Sequence, residues 1–331
     1  MPDLPYPADG GVTHGYLSVP GGPGAVPPPG RWPGVVVIHE AFGLTDGIRQ
    51  HADRLAQAGY LAFAPDLYLG KPWVRCVRGM VHQLKKESGP AFTALEAARA
   101  WLASRPDCSG MTGVIGFCLG GGFALLCAPR DGFAAVSVNY GEVPDDAEAV
   151  LEGACPVVGS YGGRDPMGIK PPERLEKALT ALGVPHDIKI YPEAGHRFMS
   201  KNPPGVAPLA HAARLDYQED AAEDSWRRIL AFFNEHLGVL RIWCPATAGY
   251  GEALVTGPAI PAVRPGEWPV CRRAPDPGRG AQRGVPGGRP PGPTRLVAFV
   301  VGFGFADEGL RGGAVVGGLA EPVLQFRFLL Q

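Results

Sequence analysis

Gly116-Phe117-Cys118-Leu119-Gly120 is the stretch on which the fold turns. An apolar run, Thr112 to Ile115, precedes it. A run rich in glycine, then in alanine and leucine, Gly120 to Ala128, follows. The first has the make-up of a buried strand and the second that of a helix. A glycine two residues before and two after a nucleophile is what a sharp strand-to-helix turn requires. The central residue takes a strained backbone conformation, and only a hydrogen side chain at the flanking positions avoids the neighbouring strand and helix. The segment predicts a nucleophile elbow with Cys118 at its tip, where serine is the usual occupant.

A nucleophile at such an elbow needs a base and an acid. In the hydrolase fold that uses it, the acid follows the nucleophile and the histidine comes last, each on a loop after a strand. Val157 to Tyr161 reads as a buried strand running into Gly162-Gly163-Arg164-Asp165-Pro166, which puts Asp165 on a turn at its carboxyl end. Asp187 to Tyr191 alternates polar and apolar residues and leads into Pro192-Glu193-Ala194-Gly195-His196. Alone, an aspartate in a turn is a turn former and a single histidine is structural. Three placements in one chain order favour a Cys118, Asp165 and His196 triad.

These residues lie in segments that resemble the dienelactone hydrolases, also called carboxymethylenebutenolidases. The segments are VVVIHEAFGL from Val35, GYLAFAPDLY from Gly59, GVIGFCLGGG from Gly113, GSYGGRDP from Gly159 and YPEAGHRFM from Tyr191. With a final amphipathic helix ending near Leu237, the resemblance covers roughly the first seven tenths of the chain. It implies an α/β-hydrolase fold, with the family's catalytic cysteine, aspartate and histidine falling on Cys118, Asp165 and His196. The family's additional glutamate, on the loop after the first central strand, falls on Glu40. A buried carboxylate beside a thiol can hold it at rest and later take its proton, and burial, by raising the carboxyl pKa, makes that exchange feasible near neutral pH. The alternative is a glutamate that caps a helix or pairs with an arginine. His39, next to it, reads as structural.

The chemistry follows from these parts. Cys118 attacks an ester or lactone carbonyl as thiolate. His196, oriented by Asp165, stabilises that thiolate and then activates water against the thioester. The backbone N–H groups of Leu119 and Ala41 are the two oxyanion donors that this elbow geometry supplies. A thiolate leaves well, so attack on an amide tends to revert, and the chemistry points to activated esters or lactones. Family members that act on dienelactone hold a substrate carboxylate with arginines, one of them shortly after the histidine. Four residues past His196 this chain has Ser200, with Arg197 directly after the histidine. Arg75 and Arg78, with Lys85 and Lys86, stand where the family's other cation would come from, although such a cluster is equally a solvated helix face. Tyr140, at the end of the Ala134 to Val138 strand, is read as pocket wall or as core. The candidate substrate-binding residues are therefore Arg75, Arg78, Tyr140 and Arg197. Three functions stay in view: a cysteine hydrolase of activated esters or lactones, a general carboxylesterase or thioesterase, and a non-catalytic small-molecule binder.

Alternating strands and helices predict a doubly wound, mostly parallel sheet with helices on both faces and the site at the strands' carboxyl ends. Val35 to Ile38 and Leu61 to Ala64 are short apolar runs, and Ile48, Ala52, Leu55 and Ala56 make one helical face between them. A net charge of −1 gives no footprint for nucleic acid or an anionic membrane. The start Met1-Pro2-Asp3 lacks the basic and apolar regions of a secretory signal. Seven cysteines, an odd number without zinc-type spacing, suggest reduced thiols in the cytoplasm. No metal or cofactor is expected, the partner is a small ester or lactone, and the expected state is a monomer or small homo-oligomer.

The chain changes character after Gly238. Residues 1–238 form the expected hydrolase domain. Residues 239–331 hold 12 prolines and 17 glycines, ten arginines and no lysine. That composition suits disorder rather than a packed core. Arginine, glycine, proline and alanine share GC-rich codons, so the stretch reads as out-of-frame or read-through translation, with an interaction tail as the rival.

Overall fold

The fold is that of a computed structural model, which describes residues 4–8, 11–22, 26, 30–167, 172–201 and 214–238. The chain divides into two units, Met1–Arg273 and Ala274–Gln331, and the second lies wholly outside the described residues. The expected boundary after Gly238 and the expected tail also fall outside them.

The strands in chain order are β1 (Leu4–Ala8), β2 (Gly11–Ser18), β3 (Trp32–Ile38), β4 (Leu61–Pro65), β5 (Cys108–Phe117), β6 (Ala135–Asn139), β7 (Val157–Gly162) and β8 (His186–Tyr191). They make one sheet in the order β1-β2-β4-β3-β5-β6-β7-β8. β1 and β2 pair antiparallel, as do β2 and β4, and every pairing from β4 through β8 is parallel. β3 and β4 carry mainly apolar side chains and are buried almost throughout. Burial on both faces is why they show no polar alternation in the sequence.

The alternation appears instead between the two cores. Val35 and Val37 point to one side with Ile115 and Phe117, and Val36 and Ile38 to the other with Val114. On the first side, α1 (Asp46–Gln57) lays down Ile48, Ala52 and Leu55. The second side is covered by α2 (Trp73–Lys86), α3 (Pro90–Ser104), α4 (Leu119–Cys127), α5 (Ala147–Val150) and α6 (Pro172–Ala181). The last helix, α7 (Glu219–Leu237), returns to the first side with Trp226, Ile229 and Phe233. This is the doubly wound α/β-hydrolase architecture. Loops after β3, β5, β6, β7 and β8 gather at one edge because parallel strands present all their carboxyl ends together.

β1 and β2 were not legible in the sequence. Pro5 and Pro7 sit inside β1 and cannot donate to a ladder, so the segment does not read as a strand. At the end of the sheet only one neighbour, β2, has to be satisfied.

Candidate active site

The elbow is as tight as its glycines imply. Cys118 has φ 55° and ψ −120°, a left-handed backbone that a side chain rarely adopts. A Cβ on Gly116 would overlap the carbonyl oxygen of Gly120. A Cβ on Gly120 would stand 2.5 Å from the carbonyl oxygens of both Ile38 and His39. α4 can therefore start directly above the end of β3 only with glycine there. Asn139, at the end of β6, holds the turn from the other side. Its carbonyl accepts the Cys118 N–H at 3.0 Å, and its Nδ2 donates to Gly116 O at 3.1 Å.

His196 follows β8 and Asp165 follows β7. Nδ1 of His196 donates to Asp165 Oδ2 at 2.7 Å, and the other oxygen, Oδ1, accepts the Met167 N–H at 2.8 Å. The carboxylate is thus fixed at both atoms, with His196 buried and Asp165 partly so. Nε2 of His196 is buried and makes no completed hydrogen bond, yet Cys118 lies within electrostatic reach. Burial lowers the proton affinity of the imidazole. The neighbouring Cys118 opposes it most strongly, Asp165 adds to it, and the pKa is pushed up to about 10. Sequence order placed these three residues, and the fold brings them together.

Glu40 sits on the loop after β3, 2 % exposed, inside a network of five residues drawn from four parts of the chain. Arg197 reaches Oε2 through Nε at 2.9 Å and through its terminal nitrogen at 2.7 Å. Ser200 Oγ donates to Oε1 at 2.9 Å, and Tyr140 OH stands 3.4 Å from the same atom. His51 of α1, stacked on Phe117 at 4.2 Å, places Nε2 3.3 Å from Ser200 Oγ. Burial alone would raise the Glu40 pKa, as the sequence suggested. The Arg197 charge and the hydrogen bonds from Arg197 and Ser200 outweigh it, and the pKa is lowered. The expectation of a raised carboxyl is corrected accordingly: Glu40 is an ionised group locked to an arginine. Among the described residues no hydrogen bond joins it to Cys118.

Two of the four candidate substrate ligands change meaning. Arg197 has its guanidinium on Glu40 and over the Phe42 ring at 5.2 Å, so its charge is already neutralised. Tyr140 has no exposed surface and turns its hydroxyl to Glu40 and Ser200. Its ring edge meets His196 at 5.1 Å, which makes it part of the charged network instead of a pocket wall. Arg75 is exposed on α2, as is Arg78, the fourth candidate. Phe42 and Trp73 meet edge to face at 5.2 Å.

Leu119 is the first residue of α4, where no preceding turn offers its N–H a carbonyl. Ala41 lies between Glu40 and Phe42, half-buried. Ser200 and His51 were missed as members of the site. His51 had a signal, since it shares the buried stripe of Ile48, Ala52 and Leu55. Ser200 had none, because what defines it is a contact with Glu40 160 positions away.

Among the described residues no cluster of three or more histidine, cysteine or acidic side chains could hold a metal. No helix among them is long and apolar enough to cross a membrane. Residues 19–237 match the profile of the Dienelactone hydrolase family. A protein of Yersinia pestis provisionally named carboxymethylenebutenolidase is 29 % identical over 232 residues, which cover 65 % of this chain and 82 % of that protein. A crystal structure from Klebsiella pneumoniae, provisionally called a dienelactone hydrolase, superposes with a TM-score of 0.58 at 26 % identity, covering 71 % of this chain and 98 % of that one. The acylaminoacyl peptidase of Pyrococcus horikoshii shares the fold alone, with a TM-score of 0.53 at 12 % identity over 73 % of this chain and 42 % of its own.

Proposed function

Since the chain belongs to the dienelactone hydrolase family, we propose that it is a cysteine hydrolase of activated esters or lactones working through Cys118, His196 and Asp165. The observation that carries this reading is the buried His196, bound to Asp165 at 2.7 Å and raised toward the charged state by the sulfur of Cys118. A thiolate beside an imidazolium is a resting pair ready for attack.

From that pair, Cys118 Sγ bonds to the carbonyl carbon as thiolate while His196 keeps its proton on Nε2. The carbonyl electrons move to oxygen, where the N–H groups of Leu119 and Ala41 receive the negative charge. Collapse expels the alkoxide or enolate, which takes the proton from His196, and leaves a thioester on Cys118. His196 then draws a proton from water, the water oxygen attacks the thioester, and Cys118 leaves again as thiolate. Glu40 carries its own charge on Arg197 throughout, and it is a weak base while that pair is closed.

One observation favours a broad carboxylesterase or thioesterase over a hydrolase that needs a substrate carboxylate. Arg197, the cation nearest the triad in sequence, is engaged by Glu40. Turnover of p-nitrophenyl esters, dienelactone and acyl-thioesters ranks the substrates. Cys118→Ala should abolish turnover, by several orders of magnitude, with the fold intact. Iodoacetamide should inactivate by labelling Cys118 before the other thiols. An alanine variant with a tenth of the original rate would remove Cys118 from the role. Absence of turnover on every substrate by the folded protein would favour a binding protein.

A further inference from the structure

The mechanism leaves His39 unused, although it is buried and fully engaged at the edge of the site. Its Nε2 accepts the backbone N–H of Leu67 at 3.2 Å, so the ring proton sits on Nδ1. Nδ1 donates to the carbonyl of Glu40 at 2.7 Å. The same carbonyl takes a second hydrogen bond from the Gly43 N–H at 3.1 Å. That carbonyl and the N–H of Ala41 belong to one planar trans peptide and point in opposite directions. Holding the oxygen therefore aims the N–H. A further arm fixes the next peptide: Tyr68, whose ring meets His39 edge to face at 4.7 Å, donates its hydroxyl to Ala41 O at 2.8 Å.

We propose that His39 is a positioning residue of the oxyanion hole, aiming the Ala41 N–H at the developing negative charge through its hydrogen bond to the Glu40 carbonyl. The proposal rests on the reading of Ala41 as an oxyanion donor. Two donors on the Glu40 carbonyl also polarise the peptide and make the Ala41 N–H a better donor. Burial keeps the imidazole neutral, lowering its pKa against the pull of nearby Asp66 and Glu40, so the tautomer that serves the clamp persists. The β4–α2 segment supplies the other half of the device. Leu67 sets the tautomer and Tyr68 braces the loop, which couples the nucleophile's surroundings to a strand two places along the sheet.

The test separates aim from architecture, because alkylation of a thiol by iodoacetamide develops no oxyanion. His39→Leu removes the donor, and His39→Asn returns an amide N–H near the position of Nδ1. For His39→Leu, kcat on a p-nitrophenyl ester should fall about 100-fold, as when one oxyanion donor is lost, with KM little changed. The rate of Cys118 labelling by iodoacetamide should stay as in the original protein. His39→Asn should recover at least about tenfold of the lost kcat. Tyr68→Phe should show the same split to a smaller degree and carries the test if His39→Leu does not fold. The proposal is overturned if folded His39→Leu keeps its kcat, or if labelling falls in parallel with kcat, which would mark His39 as purely structural. Cys118→Ala keeps the two readings apart. A dead Cys118→Ala beside a normal His39→Leu defeats only this inference, whereas an active Cys118→Ala defeats the nucleophile assignment itself.

Discussion

At Glu40 two opposing effects meet, and their balance decides the residue's chemistry. Burial of a carboxylate disfavours its charge, and a paired arginine favours it; here the arginine wins and the pKa is lowered. The sequence showed the first effect and hid the second, because Arg197 lies 157 positions away. The proposed triad was legible for the opposite reason: its chain order and strand-end placement are local signals. The balance at Glu40 makes a pH-resolved prediction. A carboxyl with a depressed folded pKa adds stability above its unfolded pKa and loses it as the pH falls through the folded value. Glu40→Gln also leaves the Arg197 charge without its partner, so unfolding at pH 7 should become easier by about 3 kcal/mol. That gap should shrink on acidification below the ordinary glutamate pKa of 4.5, where the unfolded chain takes up a proton before the folded carboxylate does, and close as the pH falls through the lowered folded value. Denaturant unfolding of both proteins at neutral, mildly acidic and strongly acidic pH measures it. A gap that stays constant across that range would mean the ion pair contributes nothing.

At the scale of elements, the elbow is a joint between β5, α4 and the end of β3. Its compactness follows from Gly116 and Gly120, and this part of the fold was readable because glycine spacing encodes close approach. The braces were not readable. Asn139 and His39 work through backbone carbonyls, and nothing in a sequence says which carbonyl a side chain will find. Gly120→Ala tests the joint. The added methyl would stand 2.5 Å from two backbone oxygens, those of Ile38 and His39, with no flexible side chain to give way. Destabilisation of about 3 kcal/mol or more is expected, at the upper end for overpacking. Relief must push the strand end away from α4, and that strand end leads into Glu40 and Ala41. In the fraction that folds, kcat should therefore fall further than the rate of Cys118 alkylation. Equal losses in both would show that the methyl displaces the nucleophile itself.

For the whole molecule, the closing helix α7 seals one face of the sheet. Leu237 is buried, and its Cδ1 would lie 2.8 Å from a Cβ on Gly113 of β5, so the last turn of α7 packs directly on the sheet. Gly238 follows with φ 68°, the left-handed conformation that commonly terminates a helix. The family profile stops at residue 237 as well. Every group assigned to the chemistry, from His39 to Ser200, precedes this point. The change in composition was plain in the sequence because it needs no three-dimensional partner, only a count of glycine, proline and arginine. We therefore propose residues 1–238 as the hydrolase domain, and truncation after Gly238 should leave kcat, KM and melting temperature unchanged. Ester turnover and thermal unfolding of the shortened and full chains, compared side by side, decide it. A shortened protein that loses turnover or melts lower would show that residues beyond Gly238 pack on the domain and have a native role. Mass spectrometry of the native protein asks the complementary question. Full-abundance peptides from beyond Gly238 would rule out read-through as the origin of the stretch, and their absence would make the truncated chain the enzyme the cell uses.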